Sequence, residues 1–347
     1  MNSANDIVHN INTVELSLYL EKNVAGFKGP LSAEKFSGGQ SNPTFLINAS
    51  SGKYVLRRKP PGELLKSAHA VDREFRVISA LAESDVPVAK VFHLCEDPKI
   101  IGSIFFLMEY IDGEVLWDPS LPDFTPSKRT ALYSEMVRVL AALHSVDVDK
   151  VGLTDYGKPG NYFTRQISRW TKQYRAAELE KIEPMETLIE WLSRNTPADD
   201  GRVSLVHGDF RLDNMMFDRN APVVLALVDW ELSTLGHPFS DVAYQCMALR
   251  MGRSGKMLGL AGLDLKQLGI PSEKEYVAQY CDLMGLEKID NWDFYLIFNF
   301  FRFASILQGV KKRALDGNAS NENAKQMGDL VIPLAEMAVS LISERKQ

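Results

Sequence analysis

Cysteine is scarce, with only Cys95, Cys246 and Cys281 in 347 residues. They are far apart, odd in number and form no Cys-x-x-Cys pair, which speaks for small apolar packing side chains over a disulfide framework. An excess of positive charge is also missing: 39 Lys and Arg against 45 Asp and Glu leave a net charge of −6. Nucleic-acid affinity comes mainly from basic groups that neutralise phosphates, so no nucleic-acid partner is expected. No basic stretch followed by an apolar run opens the chain, so no signal peptide is expected. The most apolar window, Phe294 to Leu307, is interrupted by Asn299 and Arg302 and is too short to span a bilayer. Internal repeats, Pro-rich tracts and Gly/Ser linkers are absent as well. The expectation is a reduced, cytoplasmic, soluble protein with no membrane partner. What remains is an ordinary globular composition, 45% hydrophobic, 10% aromatic and 24% charged. At ~100–200 residues per domain, the length implies about two domains.

The first third alternates as strands do. Phe45 to Ala49 and Lys53 to Arg58 are β-prone runs joined by Ser50-Ser51-Gly52, a hairpin signal. From Ala68 to Ala82 apolar residues take helical spacing, at Val71, Phe75, Ile78, Leu81 and Ala82. Ile104 to Tyr110 then reads as a buried strand that ends at Asp112-Gly113. Beyond it the pattern turns helical, beginning with Thr125-Pro126 as cap and first-turn proline and an apolar stripe through Leu132, Met136, Leu140 and Leu143. One β-like patch lies between Val203 and Trp230. The change near residue 111 divides the chain into an N-terminal lobe, 1–111, and a helical lobe, 112–347.

The stretch with most chemistry is His207-Gly208-Asp209-Phe210-Arg211-Leu212-Asp213-Asn214, followed by an apolar run that ends at Asp229. Apolar strands deliver His207, Asp209 and Asp229 to loop positions, where a packed scaffold can hold them against a ligand. Mg²⁺ prefers oxygen donors and binds through one or two carboxylates plus substrate phosphates. Asn214 and Asp229 can supply those oxygens, leaving Asp209 to accept a proton from an attacking hydroxyl. The His-x-Asp step and the gap from Asp209 to Asn214 equal those of the kinase pattern H-R-D-x-x-x-x-N. Arg211, two residues beyond the base, is placed to reach a transferring phosphoryl group. Taken alone, His-Gly-Asp is a tight turn with a capping aspartate; the spaced Asn214 and the strand-borne Asp229 favour the catalytic reading.

A nucleotide clamp is expected upstream. Val55 and Arg57 share one face of a strand by period-2 alternation, so Val55 can pack on adenine while Arg57 reaches phosphates. Glu74 falls on the flank of the helix's buried face and needs a cation, for which Arg57 is the natural partner; the alternative is a solvated glutamate in the Asp72-Arg73-Glu74 cluster. Before the strand, Ser37, Gly38, Gly39, Ser41 and Asn42 resemble a glycine-rich phosphate loop. That segment lacks full G-x-G-x-x-G spacing and would otherwise be a hairpin turn. Glu109 and Ile111, at the exit of the last strand, take the position of an adenine-binding hinge, or of an ordinary strand exit. No G-x-x-x-x-G-K-[ST] segment exists, which argues against a P-loop enzyme.

These residues resemble the aminoglycoside phosphotransferase/choline kinase family. They are most similar to the subgroup of kinase-like domains in, or next to, acyl-CoA dehydrogenase family members 10 and 11. The resemblance rests on Phe36 to Phe45, Tyr54 to Arg58, His207 to Asn214, Gly236 to Tyr244 and Phe301 to Ala314. It implies an α+β, two-lobed protein-kinase-like fold, with an N-terminal antiparallel sheet plus helix and a mostly helical C-terminal lobe. It further implies ATP and Mg²⁺, Asp209 as base, Asn214 and Asp229 as metal ligands, and a bracing role for Asp241. Arg57 stands where the antibiotic kinases carry lysine, which changes the geometry of its pair with Glu74. The subgroup suggests a small hydroxyl acceptor such as a hydroxyacyl-CoA, and an acyl-CoA dehydrogenase as possible partner. Arg302, Lys311, Lys312 and Arg313 would meet CoA phosphates if they line the site; otherwise they are a solvated face. An aminoglycoside acceptor would instead require an acidic pocket. A protein kinase is disfavoured by Asp229-Trp230-Glu231, which lacks the glycine of the kinase D-F-G triplet, and a nucleotide-binding scaffold by the complete Asp209, Asn214 and Asp229 set.

Overall fold

The computed structural model describes residues 11–36, 42–60, 70–254, 257–316 and 327–344. The chain forms two compact units, one comprising Met1–Gly113 with Leu225–Glu231 and the other Glu114–Val224 with Leu232–Gln347. The second unit is therefore not the continuous 112–347 of the sequence reading. The strand end that carries Asp229 is fastened into the first unit, where the Leu227 N–H donates to the Pro87 carbonyl at 2.8 Å.

The first unit contains helix α1 (Thr13–Asn23), strands β1 (Leu31–Lys35), β2 (Thr44–Ala49) and β3 (Gly52–Arg58), helix α2 (Val71–Leu81), and strands β4 (Val91–Cys95) and β5 (Phe105–Glu109). The strands form an antiparallel sheet in the order β1-β2-β3-β5-β4. Ser50 and Ser51 turn the β2–β3 hairpin and Ala49 pairs with Gly52, whose φ of +137° suits a residue without Cβ. Alternation sends Phe45, Ile47, Leu56 and Leu107 to one face, where Leu16 and Leu20 of α1 cover them with Phe27. Each such side chain contributes about 1.5–3 kcal/mol on burial. The other face carries Val55, Arg57 and Phe106, with Phe75 of α2 edge-on to Phe106 at 6.1 Å. Of the expected apolar positions Val71, Ile78 and Leu81 are buried in α2 and Phe75 is half-buried, Ala82 is exposed just past its end, and Val77 is buried in addition. Residues 68 and 69 of the expected helix lie outside the described residues.

The second unit is mainly helical: α3 (Pro126–His144), α4 (Tyr162–Ala176), α5 (Glu183–Asn195), α6 (Phe239–Arg250), α7 (Leu265–Leu268), α8 (Glu273–Met284), α9 (Trp292–Leu315) and α10 (Val331–Glu344). Of the short strands β6 (Glu114–Val115), β7 (Ser204–Val206), β8 (Met215–Phe217), β9 (Val224–Leu227) and β10 (Thr234–Gly236), β7 to β9 lie in the expected β-like patch and β6 and β10 outside it, the last three residues of β9 belonging to the first unit. Thr125 caps α3 as expected, its hydroxyl accepting the Lys128 N–H at 3.3 Å. The apolar window 294–307 lies in α9, a core helix buried on most sides, and Phe163 of α4 packs against Phe294, Tyr295 and Phe298 at 5.1–5.3 Å. Its interrupting polar residue Asn299 is buried and donates to the carbonyls of Ser240 and Tyr295, both at 2.9 Å. Among the described residues no helix is long and apolar enough to cross a membrane. All three cysteines are buried and free.

Candidate active site

In the second unit, β7 ends at Val206 and pairs with β10, which hands the chain directly to the His207-Gly208-Asp209 loop. Gly208 has φ +81°, and a Cβ there would lie 2.6 Å from the Leu232 carbonyl oxygen. Glycine is thus required for both conformation and space. The loop is fastened from two helices. Asp241, in the first turn of α6, accepts the His207 N–H at 2.6 Å and the Gly208 N–H at 2.9 Å. His144 Nε2 stands 3.5 Å from the same carboxylate, and its Nδ1 lies 2.8 Å from the Tyr280 hydroxyl. Burial disfavours the Asp241 charge, but His144, His207 and these N–H groups outweigh it and hold its pKa below the ordinary aspartate value. From α9, Arg302 donates to the Gly208 carbonyl while its guanidinium lies over the rings of Trp170 and Tyr244.

Asp209 is half-buried, and its carboxylate accepts the Asn214 Nδ2 at 2.8 Å. The same amide donates to the Asp209 carbonyl at 2.8 Å, a contact that the short 3₁₀ turn Leu212–Asn214 makes possible. Asn214 Oδ1 is then the oxygen this residue can offer a metal. Arg211 Nε lies 3.6 Å from Asp209 Oδ2 and its Nη2 2.8 Å from Asp213 Oδ2. Burial pushes the Asp209 pKa up, but Arg211, a hydrogen bond with Tyr244, His207 and Arg302 together bring it below the ordinary value. Asp209 is accordingly an ionised acceptor at neutral pH.

In the first unit Arg57 holds the centre. Its Nε is 2.6 Å from Glu74 Oε2, and its Nη2 is 3.2 Å from Glu74 Oε1 and 2.6 Å from Asp229 Oδ1. Glu74 is 2% exposed, so the solvated alternative does not apply and the expected ion pair forms. Burial disfavours the Arg57 charge, yet Glu74 and Asp229 raise its pKa above the ordinary arginine value. Asp229 has φ +66°, a left-handed conformation that aspartate tolerates better than most residues. Glu231, two residues on, completes a group of carboxylate oxygens with Glu74 and Asp229 that lie within 4.8 Å of one another. An all-oxygen set of that charge fits a hard divalent cation such as Mg²⁺.

Other expected positions differ in their surroundings. Asn42 is buried and its amide donates to Glu74 Oε1 at 2.9 Å, so it orients the ion pair where the sequence suggested a phosphate donor. Ser37, Gly38, Gly39 and Ser41 lie outside the described residues. Val55 is buried opposite Leu46 and Met108. The Glu109 N–H donates to the Lys90 carbonyl at 2.8 Å, and its carboxylate accepts the Lys90 N–H at 3.3 Å, so this backbone donor is already used. Ile111 is half-buried just beyond β5. The basic set does not act as one cluster: Arg302 is 4% exposed and fixed to the loop, whereas Lys312 pairs with Asp316 at 2.6 Å and Arg313 is exposed. Sequence reasoning missed Glu231 and Tyr244, although Tyr244 lies one helical turn past Asp241 in the segment 236–244 that carried part of the resemblance.

The profile of the phosphotransferase enzyme family matches residues 32–269. The chain belongs to this family. Relatives named acyl-CoA dehydrogenase family member 10 (Mus musculus) and member 11 (Homo sapiens) are 52% and 40% identical to it over 89% and 96% of its length. The chain spans only 29% and 43% of those two proteins. Among solved structures, a Ralstonia eutropha protein described as a candidate aminoglycoside phosphotransferase is 49% identical, with a TM-score of 0.88 over 96% of this chain and 99% of that one. A thermostable mutant of aminoglycoside phosphotransferase APH(4)-Ia, in a ternary complex with ADP and hygromycin B, is 14% identical with a TM-score of 0.62 over 95% of this chain and 99% of its own, and shares the fold. The fold is thus the α+β, kinase-like fold of the aminoglycoside phosphotransferases.

Proposed function

We propose that the chain is an ATP-dependent O-phosphotransferase in which Asp209 is the catalytic base. The observation that carries this reading is the Asp209 carboxylate, held by Asn214 at 2.8 Å in a loop that Asp241 and Arg302 fasten from behind. In this reading the first unit binds the nucleotide, with Val55 at the base, Arg57 and Glu74 at the phosphates, Asn42 holding Glu74, and Ser37, Gly38, Gly39, Ser41 and Ile111 in the supporting roles that the sequence suggests. The second unit binds the acceptor and carries out the transfer.

Asp209 accepts the proton of the acceptor hydroxyl as that oxygen bonds to the γ-phosphorus and the bond to the ADP oxygen breaks. A carboxylate with a low pKa suits a loose transition state, in which the proton leaves late and positioning dominates. Arg211 stabilises the charge on the moving phosphoryl group, and Asn214 fixes the base by its amide nitrogen. Asn214 Oδ1 and Asp229 would hold Mg²⁺, which when bound neutralises charge on the phosphate oxygens.

The acceptor in this proposal is a small molecule with a free hydroxyl, of the hydroxyacyl-CoA class. The support is the kinship with proteins named for acyl-CoA dehydrogenases, of which this chain spans less than half. An acyl-CoA dehydrogenase as physical partner, and a cytoplasmic location, belong to the same reading. The test is ATP turnover with hydroxyacyl-CoAs, choline, aminoglycosides and sugars, run beside Asp209→Asn. The proposal expects Mg²⁺-dependent turnover with a hydroxyacyl-CoA. Turnover confined to aminoglycosides would reassign the acceptor, and tight ATP binding without any turnover would make the chain a nucleotide-binding scaffold.

A further inference from the structure

Arg57 meets two carboxylates in unequal settings. Its Nε end is held by Glu74, which is 2% exposed and pinned by Asn42 at 2.9 Å. Its Nη2 end reaches Asp229 Oδ1 at 2.6 Å, and the Asp229 side chain is 36% exposed. The ligand oxygens of Glu74, Asp229 and Glu231 all lie within 4.8 Å of one another, so one guanidinium stands among three carboxylates. One Asp229 carboxylate oxygen, Oδ1, is thus already engaged by the guanidinium.

We infer that Arg57 is the resident cation of this trio in the nucleotide-free protein and competes with the divalent metal for Asp229, so that metal binding depends on nucleotide. The inference rests on the metal role of Asp229 proposed above and adds an order of events to it. The Glu74 end is the anchor, because moving it would leave a buried carboxylate without its cation. The Asp229 end is the one that moves, because water can replace it there. Incoming phosphates offer Nη2, which also meets Glu74 Oε1 at 3.2 Å, an anionic partner of matching fork geometry in place of Asp229. Once Nη2 turns to them, Asp229 Oδ1 is released to the metal that accompanies the nucleotide. A planar guanidinium suits this exchange, since one of its nitrogens can stay on Glu74 while another changes partner.

The test is Mn²⁺ binding to the full chain, followed by electron paramagnetic resonance with and without the non-hydrolysable analogue AMP-PNP. Wild type should bind Mn²⁺ weakly alone and much more tightly with AMP-PNP. Arg57→Met should bind Mn²⁺ without nucleotide about tenfold or more tightly than wild type, the equivalent of ~1.4 kcal/mol of competing ion pair. That gain should vanish in Arg57→Met/Asp229→Asn. Should Arg57→Met fail to fold with Glu74 uncompensated, Arg57→Gln keeps a neutral donor for Glu74 and should show the same gain. Unchanged Mn²⁺ affinity in the folded variants, with AMP-PNP-dependent binding intact in wild type, overturns the competition and leaves the metal role standing. No Mn²⁺ binding by wild type even with AMP-PNP overturns both.

Discussion

Replacing Asp241 by asparagine removes one charge and turns one acceptor into a donor, at a site closed to bulk solvent. Asp241 is 0% exposed and accepts two backbone N–H groups, from His207 at 2.6 Å and Gly208 at 2.9 Å. An asparagine keeps one acceptor oxygen. One bond therefore falls from charge-assisted to neutral, a loss of ~1 kcal/mol, and the other donor is left facing an NH₂ group at a further cost of ~1–3 kcal/mol. The sum is about 3 kcal/mol, which for a cooperative unit of this size corresponds to a melting-temperature fall of roughly 6–12 °C. Calorimetry of Asp241→Asn beside the exposed control Asp290→Asn measures it directly. The pH dependence carries a sign. Asp241 is held below its ordinary pKa, so its contribution is present above the unfolded value near 3.9 and is lost as pH falls through the lower folded value. The stability gap between wild type and variant should therefore be full at pH 7 and shrink below about pH 4. A fall at pH 7 no larger than that of Asp290→Asn would refute the brace.

Two further perturbations act on the same loop. Gly208→Ala places a Cβ 2.6 Å from the Leu232 carbonyl at a φ of +81°. It should cost at least about 1–3 kcal/mol of stability and lower kcat in acceptor phosphorylation, with ATP affinity by titration calorimetry unchanged; an unaltered melting temperature would contradict the packing argument. Arg302→Met keeps apolar contact with Trp170 and Tyr244 but removes the donor to the Gly208 carbonyl, and should lower kcat by more than tenfold. If it instead leaves kcat intact and weakens only acceptor KM, Arg302 binds the acceptor and does not position the loop.

Elements with local signals were legible from sequence. The β2–β3 hairpin, the capped start of α3 and the alternation that puts Val55 and Arg57 on one face follow from neighbours a few residues apart, and the strand limits differ by a single residue. The contacts that position the site come from far along the chain. Arg57 meets Asp229 across 172 residues, and Arg302 meets Gly208 across 94. No periodicity encodes such pairs, which is why Arg302 read as one member of a basic cluster and Asn42 as a phosphate donor. Asp229 was legible as a strand-borne carboxylate; that its strand end joins the first unit was not, because the unit is discontinuous in sequence.

The central claim is that Asp209 takes the proton during phosphoryl transfer from ATP to a hydroxyl. Single-turnover transfer of labelled γ-phosphate to a hydroxyacyl-CoA, in wild type and Asp209→Asn at saturating Mg-ATP, tests it most directly. The account expects stoichiometric transfer in wild type and a rate about 10²–10⁴-fold lower in the variant, with ATP affinity unchanged. Equal transfer rates in the two proteins would contradict it.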